Sequence, residues 1–393
     1  MNLRNILCIP HTNCRNDNYD IINYTADNTL CYLNDLERQK HTSLKNNIFI
    51  LVVYDRKRLE ALKKYISTNF STIQIKLILF ELDTYKLNHW IYQRTVLFYY
   101  WLLSRAIFFS STYRVLIPFK RPGQKAISLN YYTPFKNDYF EKDISGLKNI
   151  DFDLCFSTSK LSSQITSISE GINFKNFRIT GFPRNDTFLN PRFTKQQLLK
   201  KINIPEKNKI ILYAPTHRDY EKFEIEEVKS LFGYSEEVTS EVSKLLSKYN
   251  YTLIAKLHPA QKKEINKINN YNNILFYEPS YEYTFYDIIP YSDVLICDYS
   301  SIYFDFILTQ REVVFNFYDY EKYCNNRGLS YDPIESIVKG AICYDEKSFL
   351  ENLEKVFKGN KAFKHSIADK LFNKHFDKLS SERITKELRK ILS

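Results

Sequence analysis

The sequence predicts an α/β protein with two similar halves, each built on a parallel sheet that helices cover on both faces. Short apolar runs rich in β-branched residues alternate along the chain with polar, helix-like stretches, and this alternation is typical of parallel sheets. The length of 393 residues suits two domains. With 44% hydrophobic and 26% charged residues, the chain can bury a sizeable core, which excludes wholesale disorder.

The predicted strands are the apolar runs, four in each part of the chain. They lie at 48–54, 75–80, 113–119, 153–157, 210–214, 252–257, 293–297 and 313–316. The apolar segment from 90 to 119 contains three arginines, so it lacks the uncharged stretch that a membrane span needs. It predicts a buried or amphipathic helix over about 91–109 followed by a strand, and a helix lying on a membrane surface is the alternative.

A cluster of chain-breaking residues marks the boundary between the halves. Asn-Pro at 190–191 and Ile-Pro at 204–205 flank a basic helix predicted over 195–201. We therefore divide the chain into 1–188 and 189–393, and we expect the last helices to pack back toward the first half. Two such Rossmann-like halves facing each other across a cleft describe the GT-B architecture. The GxGxxG fingerprint and the P-loop are both absent from the sequence, which argues against NAD enzymes and P-loop NTPases.

The charge balance suits a polyanionic partner. The formal net charge is +11, from 56 basic and 45 acidic residues. A mild excess spread over a long chain fits phosphate-rich polymers, nucleotides or an acidic membrane surface, and nothing in the motifs indicates nucleic-acid binding. Seven cysteines without a CxxC pair predict free thiols in a reducing compartment. The N-terminal apolar run is too short for a signal peptide, so we expect a cytoplasmic protein.

The most informative segment follows the predicted strand at 293–297. It reads Asp298-Tyr299-Ser300-Ser301, and Ser300 or Ser301 suits the N-cap of a helix that begins there. Free backbone N–H groups at that end would face the crevice beyond the strands, where phosphate binds well. The alternative is an ordinary serine cap with nothing bound.

Two further predicted strands end in residues that can bind phosphate. His258 stands at the end of one strand, before a proline that suits the first turn of a helix, and it could donate to a phosphate or stabilise a leaving group. The other strand is followed by Thr216, His217 and Arg218. Arg218 offers a charged fork for phosphate or an acidic acceptor. The alternatives are a locally packed histidine and a solvated surface arginine.

Four motifs in order resemble those of a known family. They are G-F-P-R-N-D at 181–186, P-T-H-R-D at 215–219, H-P at 258–259 and D-Y-S-S at 298–301. In this order, over about residues 121–383, they resemble the CDP-glycerol:poly(glycerophosphate) glycerophosphotransferases, which build teichoic acids and teichoic-like capsules.

The resemblance implies a GT-B-like fold in which the second half binds the nucleotide. It implies transfer of a polyol phosphate, with glycerol phosphate the first choice, from a CDP-activated donor to a hydroxyl of a polymer, with release of CMP. The acceptor would be a lipid-linked wall polymer or a capsular glycan at the inner, anionic membrane face, which predicts a peripheral location there. A metal cofactor is not expected, because cationic and dipolar groups can neutralise the phosphates.

The resemblance also assigns site residues. His258, Ser300 and Ser301 would contact the donor phosphates, and a looser alignment adds a C-terminal arginine to the pyrophosphate. Residues at the same strand ends complete the donor-side set. The expected donor-side residues are Thr216, Arg218, His258, Asp298, Ser300, Ser301 and Arg383.

One motif departs from the family. Where the family has W-H-G-T-P-L-K, with a histidine proposed as general base, residues 130–136 read N-Y-Y-T-P-F-K. Thr133 and Lys136 remain on the expected acceptor side, but Tyr131 stands in place of the histidine, and tyrosine is a poor base at neutral pH. Three explanations compete: Tyr131 acts with a lowered pKa, His217 transfers the proton, or the substrate has changed. We favour a changed substrate.

Two other functions stay open at this point. A GT-B glycosyltransferase using a nucleotide sugar would transfer a sugar, and its donor would lose a nucleoside diphosphate. A catalytically inactive nucleotide- or polymer-binding homologue would explain the missing histidine. The Asp-Phe-Asp sequence at 151–153 matches a metal-binding motif of another glycosyltransferase fold, but its place at the start of a predicted strand argues against a metal.

Overall fold

Two parallel sheets with covering helices form the structure, a computed structural model. It describes residues 4–9, 28–39, 42–53, 56–79, 87–110, 120–129, 133, 135–136, 151–216, 218, 231–257, 271–277, 283–361 and 367–392. Over these residues every pairing between strands is parallel. The predicted α/β class is confirmed.

The first sheet has seven described strands. They are β1 (Asn5–Ile9), β2 (Ile48–Val53), β3 (Gln74–Leu79), β4 (Ser104–Phe109), β5 (Lys125–Ser128), β6 (Leu154–Ser157) and β7 (Phe177–Ile179). Their order is β3-β2-β1-β4-β5-β6-β7. Strands β1 and β4 are almost entirely buried, whereas β3 at the edge of the described sheet has only one buried residue, as expected for an edge strand. The helices of this half are α1 (Asn28–Arg38), α2 (Arg56–Asn69), α3 (Leu87–Leu103) and α4 (Lys160–Glu170).

The second sheet has six described strands. They are β8 (Lys209–Ala214), β9 (Tyr251–Ala255), β10 (Ile274–Phe276), β11 (Val294–Cys297), β12 (Glu312–Asn316) and β13 (Ala341–Cys343), in the order β10-β9-β8-β11-β12-β13. Its helices are α7 (Glu236–Tyr249), α8 (Phe285–Ile288), α9 (Ile302–Phe306), α10 (Tyr320–Asn326), α11 (Glu346–Phe357) and α12 (Ile367–Phe372). The sheet separates two apolar clusters, one on each face.

Three helices connect the halves. Between the sheets lie α5 (Pro183–Leu189) and α6 (Lys195–Lys201), and α6 begins and ends where the sequence predicted a basic helix. The last helix, α13 (Ser380–Leu392), returns to the first half, where Ile384 and Leu388 are fully buried in its core. The limits 1–188 and 189–393 stay a prediction.

Most predicted strands are confirmed, and the errors have simple causes. The helix predicted over 91–109 ends at Leu103, and the rest of that run is strand β4 between β1 and β5, because a continuous apolar run does not reveal where a buried helix gives way to a buried strand. The strands β1, β5, β7, β10 and β13 were missed. Each has only three to five residues, too few to show a period. The strand predicted at 113–119 lies outside the described residues.

Candidate active site

The carboxyl ends of four neighbouring strands meet at one edge of the second sheet. Strands β9, β8, β11 and β12 are adjacent and parallel. Cys297, the last residue of β11, pairs with Ala214, the last residue of β8. The carboxylate of Asp298 accepts hydrogen bonds from the backbone N–H of Thr216, with N···O distances of 2.8 and 3.1 Å. The ends of β8 and β11 therefore meet at this edge of the sheet.

Arg218 lies between two carboxylates at this edge. Its Nη1 is 2.7 Å from Oδ2 of Asp298, and its Nε and Nη2 contact the two carboxylate oxygens of Asp319 at 2.7 and 2.9 Å. Nη1 also donates to the carbonyl of Thr216 at 2.6 Å. The arginine side chain is only 6% exposed, so the alternative of a solvated surface arginine is wrong. These contacts indicate that Arg218 holds three strand ends together rather than contacting a ligand directly.

Aromatic rings enclose this ion cluster. The guanidinium lies 5.2 Å from the ring centre of Tyr299 and 5.1 Å from that of Tyr323, and these two rings stack 3.7 Å apart. Burial by itself would lower the pKa of Arg218, but the charge of Asp298 and the hydrogen bonds to Asp319 raise it above its ordinary value. Arg218 is therefore a permanent cation that fixes both carboxylates.

Thr216 has a buried hydroxyl without a hydrogen-bond partner among the described residues. The residue is 6% exposed and lies at the end of β8, beside Asp298. Buried polar groups are almost always hydrogen-bonded in proteins. An unsatisfied hydroxyl at a strand edge is therefore the kind of group that a bound ligand or water completes.

The turn at Ser300 and Ser301 differs in detail from the prediction. Ser301 directly precedes α9, but its backbone is already helical (φ −63°, ψ −11°) and its side chain makes no capping hydrogen bond. The capping role predicted for the hydroxyl is wrong, because a side chain caps well only from an extended backbone. Since α9 has only five residues, its dipole is short. Both serines are half-buried, and the Ser301 hydroxyl makes no hydrogen bond to the backbone N–H groups at the start of α9.

The predicted acceptor-side segment packs directly against the helix that follows these serines. The ring of Phe135 lies 5.2 Å from Phe304 and 6.2 Å from Tyr303, both in α9. Its carbonyl accepts a hydrogen bond from the backbone N–H of Ser330 at 3.0 Å. Thr133, which is buried, shares a 3.2 Å hydrogen bond with the hydroxyl of another threonine in the first half. The acceptor-side and donor-side motifs are thus one layer of side chains apart.

Lys136 continues the same connection between the halves. It forms an isolated antiparallel bridge with Leu329, and its carbonyl accepts a 2.6 Å hydrogen bond from the Ser330 hydroxyl. The backbone of this acceptor-side segment is therefore fixed to the second half.

The G-F-P-R-N-D motif connects three parts of the molecule. Arg184 pairs with Asp305 of α9 at 3.0 Å, and both side chains are about 5% exposed or less. The carboxylate of Asp186 accepts from the backbone N–H groups of Ser380 and Ser381 at 3.1 and 2.9 Å, which caps α13. The motif therefore fixes α9 and α13 relative to the first half.

Arg383 lies at this junction with its donors engaged. Its Nε donates to the carbonyl of Thr180 at 2.8 Å, and its two terminal nitrogens contact Asp377 at 3.0 and 2.8 Å. The structure thus gives Arg383 a place beside Gly181. Its contact with a pyrophosphate stays a prediction.

Three predicted catalytic residues, His258, His217 and Tyr131, lie outside the described residues. The structure places Thr216 and Arg218 on either side of His217. Over the described residues there is no cluster of three or more His, Cys, Asp or Glu side chains able to hold a metal ion.

Sequence reasoning missed three charged residues of the site. Asp319 and Asp305 gave no signal, since each acquires its arginine partner only through folding. Lys256 did give a sequence signal, because it stands two residues before His258 in an extended run, and alternate residues of a strand share a face.

The Asp-Phe-Asp sequence at 151–153 takes part in an ion pair. The carboxylate of Asp153 accepts a hydrogen bond from the ammonium of Lys120 at 2.8 Å.

Proteins of teichoic acid synthesis are similar to this chain. It is 31% identical over 235 residues to the teichoic acid glycerol-phosphate primase of Bacillus subtilis strain 168, a match that covers 60% of this chain and 57% of that protein. It is 27% identical over 258 residues to the teichoic acid ribitol-phosphate polymerase TarK of Staphylococcus aureus, covering 62% and 47% respectively. The chain therefore spans about half the length of these curated relatives.

Solved structures share the fold. The wall teichoic acid polymerase TagF superposes with a TM-score of 0.69 at 18% identity, over 99% of this chain and 88% of TagF. The UDP-GlcNAc 2-epimerase of Neisseria meningitidis superposes with a TM-score of 0.56 at 13% identity, over 98% and 100%. These comparisons confirm the GT-B-like architecture.

The family resemblance extends over most of the chain. The sequence model of the family described as CDP-glycerol:poly(glycerophosphate) glycerophosphotransferase matches residues 37–390. This range includes all four motifs, the second sheet and every described strand of the first sheet except β1. The chain belongs to the CDP-glycerol:poly(glycerophosphate) glycerophosphotransferase family.

Proposed function

We propose that this protein transfers a polyol phosphate from a CDP-activated donor to a hydroxyl of a teichoic-acid-like or capsular polymer. The observation that carries the proposal is the packing of the acceptor-side residue Phe135 on α9, directly after Ser300 and Ser301. A donor phosphate at that turn and an acceptor hydroxyl held by the neighbouring segment would be close enough to react.

The donor side supports phosphate binding. Thr216 offers a buried hydroxyl that no described residue satisfies, and the Ser301 hydroxyl does not cap its helix. The cluster of Arg218 with Asp298 and Asp319 holds this edge rigid before the donor binds. Such preorganisation supplies much of the rate in phosphoryl transfer, where positioning and charge neutralisation dominate.

The reaction is an in-line displacement at phosphorus. The acceptor hydroxyl oxygen forms a bond to the distal phosphorus of the donor, while the bond from that phosphorus to the bridging oxygen breaks. CMP leaves with the electron pair, and the hydroxyl proton passes to a base. We keep His217 and Tyr131 as the candidate bases, and His258 as the group that stabilises the leaving phosphate.

The direct test follows the products. Purified protein is incubated with CDP-glycerol or CDP-ribitol and an oligomeric polyol-phosphate acceptor, and CMP and the extended acceptor are quantified by mass spectrometry. We expect CMP and an acceptor heavier by one polyol phosphate. Release of a nucleoside diphosphate from a nucleotide sugar, with transfer of the sugar, would overturn the proposal.

Variants locate the reaction at this edge. His258→Ala and Ser300→Ala are each expected to lower kcat/KM by roughly 10–150-fold, since a charge-assisted contact with phosphate contributes about 1.5–3 kcal/mol. Ser67→Ala removes an exposed serine of α2 and serves as the matched control. Wild-type activity in both site variants would show that the donor binds elsewhere.

An inactive homologue is distinguished by a gain of function. Protein that binds CDP-glycerol without turnover, and gains transfer in the Tyr131→His, Tyr132→Gly double variant, would be a binding protein that has lost its base. Turnover in the wild type excludes this outcome. His217→Ala then tests the relocated base, because unchanged turnover in that folded variant would eliminate it.

We further propose that α3 rests on an anionic membrane, where a lipid-linked acceptor would be presented. Five large residues of this helix are exposed, between 36% and 66%. They are Ile91, Tyr92, Phe98, Tyr99 and Leu102. Their spacing places them along one face of the helix, and exposed aromatic and aliphatic side chains suit the lipid interface. Among the described helices, none is long and apolar enough to cross a bilayer.

A basic side chain beside α3 favours an anionic surface as the partner. Lys76, in strand β3, has its ammonium 4.8 Å from the ring centre of Tyr100 in α3. The test is co-sedimentation with vesicles of phosphatidylglycerol or phosphatidylcholine. We expect binding to the anionic vesicles and its loss in the Tyr92→Ser, Tyr99→Ser variant. The control is Phe174→Ser, which removes an exposed ring elsewhere, and equal binding by all three proteins would contradict the proposal.

A further inference from the structure

Lys256 lies at the same strand edge as the candidate donor site. It directly follows β9, and its backbone N–H donates to the carbonyl of Tyr213 in β8 at 2.7 Å. Ile254, two residues earlier, belongs to the apolar cluster that faces α8 and α9. Because alternate residues of a strand share a face, the Lys256 side chain projects toward these helices and toward α5.

The ammonium group of Lys256 has an unusual environment. It lies 4.8 Å above the ring of Phe285 in α8, and over the described part of the chain it makes no hydrogen bond or ion pair. Asp305, the carboxylate whose charge acts on Lys256, is already bonded to Arg184 and to the hydroxyl of Tyr286, at 3.0 and 2.9 Å. A half-buried cation is thus left without its own counter-ion.

Among the residues that the structure describes, the charges around Lys256 leave an excess of one positive charge. Within the described ranges, the charged groups that act on Lys256 are Arg184 from α5 and Asp305 from α9, and the hydroxyl of Tyr286 in α8 donates to Asp305. One carboxylate opposes two cations. An unbalanced cation in a half-buried position is unfavourable in the empty protein and becomes favourable once an anion arrives.

We propose that Lys256 binds the phosphate of the departing CMP and neutralises the charge that develops on it. This rests on the proposed function, which supplies the CDP donor. The strand end that carries Lys256 adjoins that of Thr216, so one diphosphate could contact both. As the bond from the distal phosphorus to the bridging oxygen breaks, the electron pair stays on the CMP phosphate, and the ammonium stabilises it without transferring a proton.

The environment gives this residue a distinctive pH response. Burial, together with the charge of Arg184, lowers the pKa of Lys256 to about 8, against a smaller opposite effect of Asp305. The cationic form is the one that binds phosphate. In the free enzyme it is therefore lost as the pH rises through about 8, and kcat/KM should fall above that pH.

The test compares Lys256→Met with Lys256→Arg. Methionine keeps the apolar stem without charge, and we expect kcat/KM for the CDP donor to fall by roughly 10–150-fold. Arginine stays charged at all accessible pH values, so this variant should retain more activity and lose the decline of kcat/KM above pH 8. A residue with only a structural role would not change the alkaline limb in this way.

The control is Lys209→Met at the opposite end of β8. That lysine also lies over an aromatic ring, 5.3 Å from the centre of Tyr251, but it is at the opposite end of the strand from the carboxyl edge, and its loss should leave activity unchanged. Activity of Lys256→Met within about twofold of wild type, or an unchanged alkaline limb in Lys256→Arg, would overturn the proposal. Circular dichroism checks that each variant is folded.

A binding measurement tests the role of Lys256 independently of the proposed transferase activity. Calorimetry with CDP measures affinity at pH 7 and pH 9 for wild type and for Lys256→Met. We expect roughly tenfold or more loss of affinity in the variant at pH 7. If the wild type binds CDP but transfers nothing, the transferase function fails while the role of Lys256 is still measured. Equal CDP affinity in both proteins, or no CDP binding at all, overturns the role of Lys256.

Discussion

At the scale of single residues, Arg218 and its two carboxylate partners set the geometry of the strand ends. Asp298 and Asp319 are both less than 10% exposed, so removing the cation leaves two buried negative charges without their shared arginine. We expect Arg218→Met to lower the free energy of unfolding by about 3–5 kcal/mol, measured by urea denaturation. Lys248→Met breaks an exposed pair with Glu354 and should leave stability nearly unchanged. Equal stability of the two variants would contradict this role of Arg218.

The acidic residue Asp35 makes the stability of the protein depend on pH. It accepts a 2.7 Å hydrogen bond from the hydroxyl of Ser381, and burial, followed by the charge of Asp186, raises its pKa to about 6. A raised pKa means that the folded state binds the proton more tightly than the unfolded state. The stabilisation from this group is therefore complete below about pH 4 and is lost as the pH rises through about 6.

The variant Asp35→Asn removes this dependence while keeping an oxygen for Ser381 to bond. Relative to wild type, its free energy of unfolding should rise by up to about 3 kcal/mol between pH 4 and pH 7.5, as measured by urea denaturation at each pH. Ser381→Ala removes a hydrogen bond that lowers this pKa, so that variant should keep the pH dependence. A constant difference between Asp35→Asn and wild type would show that the pKa of Asp35 is the same in the folded and unfolded states.

The sequence predicted residues of the site whose position depends on one strand, and it failed for residues whose partners come from elsewhere. Thr216 and Asp298 each follow an apolar run, so their place at the sheet edge follows from the strand pattern. Asp319 meets Arg218 across 101 positions of sequence, and Arg184 meets Asp305 across 121. Such contacts require the order of the strands, which no local pattern contains.

At the scale of elements, the start of α13 depends on a close approach of the backbone at Gly181. Its φ is +82°, and a Cβ atom there would lie 2.5 Å from Oγ of Ser380. Gly171 also has positive φ, +65°, but a Cβ atom there would meet nothing within 4 Å. An alanine at Gly171 would therefore test backbone strain alone, whereas an alanine at Gly181 would add steric overlap with Ser380.

We expect Gly171→Ala to destabilise the protein by about 1 kcal/mol through backbone strain. Gly181→Ala should cost about 1–3 kcal/mol more, because α13 must move away from α5. Thermal unfolding of both variants measures the difference. If both lose the same stability, the contact with Ser380 is not tight in solution.

Helices and strands were predicted well where their own sequence carries the signal. They were predicted poorly where pairing with a neighbouring strand determines the conformation. The basic helix α6 has an N-terminal Thr194 whose side chain caps it in a reciprocal capping box, and this signal is local. By contrast, Ser104 to Phe109 continues the apolar run of α3. This segment forms a strand because the edge of β1 is available there for hydrogen bonding. That availability depends on the whole fold and not on the local sequence.

At the scale of the whole molecule, two of the family segments, 130–136 and 181–186, lie where the two halves meet. The ion pair of Arg184 with Asp305 connects α5 to α9, and Phe135 fills the core of the second half from a segment of the first. Both contacts end on the helix that follows Ser300 and Ser301. A change in the relative position of the halves would therefore act first on the candidate donor site.

A double-mutant cycle on Arg184 and Asp305 tests whether the halves unfold together through this contact. Either single variant, Arg184→Met or Asp305→Asn, leaves a buried polar partner without its match and should cost about 3–5 kcal/mol. The double variant should cost less than the sum by at least about 1 kcal/mol, because the partners interact directly.

The shape of the urea transition then shows whether this contact joins the halves. In the single variants it should split in two, since the halves lose a buried connection. A matched cycle on Lys120 and Asp153, paired at 2.8 Å within the first half, should show coupling without splitting. Additive energies at Arg184 and Asp305, with one unchanged transition, would mean that the halves are held together by apolar packing alone.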